Sequence, residues 1–86
     1  QSGLLSPYMN KNAAGLYAKA YPWISPYVYN PRQLMANIDG EAERMHRQSG
    51  PADAYKISVL LDALKEIHGI NDYTPKGFQN NSQPSD

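Results

Sequence analysis

Two prolines twenty residues apart, Pro31 and Pro51, constrain this chain more than any other feature, because each stands where a helix can begin and neither can stand inside one. Pro31 follows Asn30, a good N-cap, and Gln33 is placed to reach back as in a capping box. Tyr29 is positioned to pack on Leu34 as a hydrophobic staple. Leu34, Ile38, Ala42 and Met45 then fall on one stripe, which predicts a helix over about 31–48. Ser49-Gly50-Pro51 is a break and a new start, with Asp53 in the favourable first turn. Ile57, Leu60, Leu61, Leu64 and Ile67 follow at helical spacing, and Gly69 ends a second helix over about 52–68. The expected fold is therefore mostly α, a helical hairpin of two capped helices.

The second helix carries a surplus. Tyr55, Val59 and Ala63 widen its apolar face beyond what one neighbouring helix can cover. Two helices totalling about 40 residues also lie near the lower size limit for independent folding, and the chain has no cysteine to staple them. The deficit calls either for another segment of the chain to fold back or for a partner, including a homo-oligomer.

The candidate cover is the N-terminal arm. Residues 1–29 hold five of the seven tyrosines, the single tryptophan and three prolines, in Ser6-Pro7-Tyr8, Tyr21-Pro22-Trp23 and Ser25-Pro26-Tyr27. A short helix is expected over about 12–20, capped by Asn10 or Asn12 and weakened by Gly15. From Tyr21 to Asn30 the prolines predict extended or polyproline-like backbone. Beyond Ile70 the chain is expected to be extended, and its last eight residues, which lack a large apolar side chain, to be disordered. The organisation read from the sequence is an aromatic, proline-rich arm over 1–29, a hairpin over 30–70 and a tail over 71–86.

The same composition argues against most chemistry. Eight basic and eight acidic residues cancel, and the one basic cluster, Arg32, Arg44 and Arg47, shares its helix with Asp39, Glu41 and Glu43, so nucleic acid is not an expected partner. The longest apolar run, Ile57 to Ala63, is interrupted by Ser58 and Asp62, far short of the roughly 20 residues of a membrane span. No serine sits in a glycine-flanked elbow and no glycine loop is suited to phosphate. Glu43 and His46, with Asp39 one turn earlier, have a spacing used in di-iron bundles, but such sites need two copies and further carboxylates. A solvated face with intrahelical pairs such as Glu43 with Arg47 is the simpler account. No cofactor or metal is expected. The start at Gln1 fits a cleaved product or a fragment, and the compartment stays open.

What remains is protein binding. Tyr and Trp bring large contact area at low entropic cost, and proline limits what an arm loses on ordering. The sequence therefore predicts a small non-catalytic accessory or structural subunit of a larger complex or virion, gripping its host through Tyr17, Tyr21, Trp23, Tyr27, Tyr29, Tyr55 and Val59. The competing expectation is a free-standing helical adaptor whose arm packs on its own helices.

Overall fold

Three α-helices account for most of the described residues, and each forms for reasons local to its sequence. The computed structural model describes residues 9–48 and 51–78. Helix α1 spans Lys11–Ala20, one residue longer at its start than expected, because Asn10 caps it. The Asn10 Oδ1 accepts the Ala13 N–H at 3.2 Å, while the Asn10 N–H donates to the Ile67 carbonyl at 2.7 Å. One residue thus satisfies an orphan donor of α1 and an orphan acceptor at the far end of another helix.

Helix α2 spans Pro31–Gln48. The Asn30 side chain accepts the N–H groups of Arg32 and Gln33 at 3.0 and 3.3 Å, as its sequence predicts. The reciprocal half of the capping box is not formed, since the Asn30 N–H is already donated to the Tyr27 carbonyl. The staple differs too: Tyr29 stays exposed, and Val28, one residue earlier, is the one that is fully buried. Leu34, Ile38 and Ala42 form the expected stripe, with Met35 added and Met45 at its margin.

Helix α3 spans Pro51–His68 and ends at Gly69, whose φ of 70° is the left-handed turn that glycine adopts without a Cβ clash. It occupies the centre of the molecule. α2 lies along one side of α3 and α1 along another, antiparallel, so the Cα trace is a slab of 40 × 33 × 14 Å. This placement explains the surplus apolar surface: Ile57, Leu60, Leu64 and Ile67 form the main core, while Val59 and Ala63 are covered as well.

The segment between α1 and α2 corrects one expectation. It is not extended: Pro22–Ile24 is a short 3-10 turn and residues 25–29 continue as turns. The N–H groups of Ile24, Ser25, Tyr27 and Asn30 each donate to the carbonyl three residues earlier, at 2.9 to 3.2 Å. The proline φ suits the start of such turns. The decisive cause is tertiary. Ile24 and Val28, four residues apart, are both fully buried in the core, and the wound backbone brings them within about one turn of each other on the same side.

The other correction concerns residues 71–78. They form neither a free nor a uniformly extended tail but a strap laid along α2, ending in a 3-10 turn at Lys76–Phe78. Asp39 Oδ1 accepts both the Tyr73 hydroxyl and, at 2.9 Å, the Lys76 N–H. Pro75 is buried, and Gly77 sits so close to α2 that a Cβ there would lie 2.8 Å from the Ala42 carbonyl carbon. The disorder expected of residues 79–86, and the Ser6-Pro7-Tyr8 portion of the arm, lie outside the described residues.

Candidate functional site: an exposed aromatic face

Helices α1 and α3 and the turn after α1 bring together the side chains that the sequence singles out for binding, but not all in the same role. Tyr17 and Tyr21 are one helical turn apart near the end of α1, with ring centroids 5.9 Å apart. Tyr21 in turn meets Trp23 edge-on at 5.8 Å. Edge-to-face geometry of this kind is the favourable one for aromatic quadrupoles. The Lys56 ammonium of α3 lies 5.6 Å above the Trp23 ring, a cation–π contact that fixes the indole at the surface.

Electrostatics locate the α3 side chains beside this row. The Tyr17 phenol is pushed above its ordinary range by burial first, then by the carboxylates of Asp62 and Glu66 and by Tyr21. The Tyr55 phenol is raised by loss of water around its hydroxyl and by the adjacent Tyr21 phenol. Tyr55, Asp62 and Glu66 share one strip of α3 by helical spacing, and all three face solvent. The result is a continuous surface with Leu16, 69 % exposed, and Tyr55, 56 % exposed, around the half-buried Tyr17 and Tyr21, and with Trp23 at its edge. A shallow groove of about 170 Å³ runs between Leu16, Tyr17, Ala20 and Tyr21.

Three of the residues expected to bind stand elsewhere. Val59 is only 6 % exposed and belongs to the interior. Tyr27 packs against the core, and burial followed by the nearby Glu41 carboxylate raises its phenol. Tyr29 is exposed on the turn before α2, with no aromatic contact to the cluster. Leu16 was not singled out from the sequence. A lone leucine on a short, weak helix gives no sign of which way it faces until α1 is docked.

The charged and polar groups elsewhere serve the fold. Glu41, mostly buried, takes the Arg44 Nη1 at 3.0 Å on both carboxylate oxygens and approaches Lys56 at 3.9 Å, while Arg44 also reaches Asp53 at 3.8 Å. These pairs, and not Glu43 with Arg47, are the ion pairs among the described residues. His68 is buried, and its Nε2 donates to the Val28 carbonyl at 3.0 Å, tying the turn to the end of α3. Asp39 is committed to the strap, and Glu43 and His46 point to solvent. Among the described residues no group of three or more His, Asp or Glu side chains is placed to hold a metal ion, and no helix is long and apolar enough to cross a membrane. A second cleft of about 210 Å³ is lined by Leu61, Asp62, Lys65, Ile70, Asn71 and Tyr73, whose hydroxyl is held by Asp39.

No protein-family model matches the sequence, and neither a curated protein nor a solved structure is significantly similar to it.

Proposed function

We propose that this chain is a small, non-catalytic protein that works by binding another protein through the face formed by Leu16, Tyr17, Tyr21, Trp23 and Tyr55. The observation that carries the reading is a division of labour in the arm. Ile24 and Val28 cover α3, so the neighbouring rings of Tyr21 and Trp23 are left gathered at the surface with Tyr55 and the prominent Leu16. Large aromatic side chains with a polar tip are the residues most often found as interface anchors, and a contiguous exposed group of them on a soluble domain marks a binding surface. The face adds contact area and supplies no chemistry.

The host is a larger assembly in this reading, and the chain its accessory or structural subunit. Alanine at Trp23 and Tyr55 together tests it by recovery of the tagged protein from its source. Loss of the co-purifying protein with unchanged far-UV circular dichroism supports the reading; retention of that protein refutes it.

The burial of Ile24 and Val28 favours a second reading on one point, namely that the chain is an adaptor folded before it binds. The arm then acts as internal cover, and recruitment is reversible. Sedimentation and thermal melting of the isolated chain discriminate between the two. A cooperative transition belongs to the adaptor, whereas a chain without one in isolation is an obligate subunit.

A further inference from the structure

The apolar core closes at Ile70, before the strap begins. Of the strap residues only Tyr73 packs against the buried cluster, and only in part. Asn71, Asp72, Thr74, Lys76 and Phe78 face solvent, so the residues turned toward the protein are Tyr73, Pro75 and Gly77, at every second position.

Helix α2 is demanding at each of these positions. The Tyr73 hydroxyl and the Lys76 N–H donate to the same atom, Oδ1 of Asp39. Bonds to a charged acceptor are the stronger kind, and the second of them closes that position to proline, which has no N–H. One turn along α2, the Ala42 backbone lies where a Cβ at Gly77 would have to stand, 2.8 Å from the Ala42 carbonyl carbon, and so admits only glycine. Pro75 is buried between these two anchors. The groove therefore specifies Tyr-x-Pro-x-Gly, with any residue but proline before the glycine. Short peptide ligands are held in this manner, by a few shaped positions and main-chain hydrogen bonds. A basic segment would satisfy Asp39 but bring a Cβ against Ala42.

The attachment is also local, since both polar anchors and the close approach fall between Asp39 and Ala42. Segments with few buried apolar contacts open at the lowest cost in free energy. Opening takes both donors from Asp39 and exposes Ala42, which is otherwise fully buried.

We infer that this groove on α2 is a docking site for an extended segment of another protein with the spacing Tyr-x-Pro-x-Gly, and that the strap, residues 71–78, is its built-in competitor. The strap itself selects the occupant, because it is seated there with every requirement met. The groove shares no residue with the aromatic face, so either reading can fail without the other.

Fluorescence anisotropy of a labelled synthetic peptide of residues 71–78, titrated with the full chain, tests it. In the unaltered chain the tethered strap competes at an effective concentration on the order of millimolar. Tyr73→Phe with Gly77→Ala loosens that strap while leaving Asp39 and Ala42 intact. The loosened chain should bind the peptide at least about tenfold more tightly than the unaltered chain, because its groove is open for a larger fraction of the time. Adding Asp39→Ala to the loosened chain, or Gly77→Ala to the peptide, should abolish saturable binding. Hydrogen exchange of the α3 amides is recorded on each chain to show that the fold persists. Equal binding to the loosened and unaltered chains, no saturable binding to a loosened chain whose α3 amides stay protected, or binding indifferent to Asp39→Ala overturns the inference. If the loosened chain does not fold, the unaltered chain decides, isotope-labelled and given unlabelled peptide in excess of that effective concentration. Exchange of its Lys76 amide should then rise at least about twofold, and an unchanged rate overturns the inference.

Discussion

Substitution of Ile24 by alanine is the sharpest test of how this molecule holds together. Ile24 is fully buried in the core, in a segment whose prolines and rings suggest an outlying arm. Removing three carbons from such a site costs the transfer free energy of the lost groups and leaves a cavity, together about 2–5 kcal/mol. An 86-residue domain is stable by roughly 4–13 kcal/mol, so the substitution removes a large share of the total. At the lower bound, and at about 4–8 °C per kcal/mol for a domain of this size, the melting temperature falls by roughly 8–16 °C. Trp23→Ala is the comparator. It loses the contact with Lys56 and the edge-on contact with Tyr21, about 1–2 kcal/mol together, and in addition the apolar area that a side chain 36 % exposed still buries. Thermal and urea unfolding followed by far-UV circular dichroism measures both. A loss under about 0.5 kcal/mol for Ile24→Ala would refute the assignment of cover to the aliphatic pair.

Three further outcomes are expected. His68→Ala leaves the buried Val28 carbonyl without its donor and opens a cavity, and should cost about 2–4 kcal/mol in urea unfolding, while His46→Ala on the exposed side of α2 should cost under about 0.5 kcal/mol. Gly77→Ala forces the strap away from the Ala42 backbone, so the amide of Lys76, donated to Asp39, should lose its protection from hydrogen exchange while amides inside α3 keep theirs. The Tyr73 phenol is pushed upward by burial, by its hydrogen bond to Asp39 and by that carboxylate's charge. A raised folded value means that its contribution is intact below pH about 10, the unfolded phenol value, and is lost as the pH rises beyond it. Stability should therefore decline in alkali, and Tyr73→Phe should flatten that decline and remove the last phenol to ionise in an absorbance titration.

The aromatic face shows how much of the proposed binding surface can be read before the fold is known. Residue type pointed to Tyr17, Tyr21, Trp23 and Tyr55, since Tyr and Trp combine area with a polar tip wherever they stand. Residue type could not separate them from Tyr27 and Val59, which are turned inward, because the same apolar content serves a core or an interface. Lys56, Asp62 and Glu66 are ordinary helical charges until α1 docks against α3 and the turn brings Trp23 under Lys56.

By itself the sequence determined the helices, because their signals are local: Asn30 before Pro31, Asp53 after Pro51, apolar residues at three- and four-residue spacing, and Gly69 where a left-handed turn ends α3. It also determined that α3 needed cover on more than one side. Which residues supply that cover was decided only in three dimensions. Winding residues 21–29 overrides the preference of Ser25 before Pro26 for extended backbone, and it is stabilised by burying Ile24 and Val28 together and by the His68 bond to Val28, contacts spanning some forty residues. The strap follows the same logic, since Asp39 and Tyr73 are 34 residues apart and Gly77 is needed only because Ala42 lies against it. Local preferences set the elements; burial of surface that no element could hide alone set their arrangement.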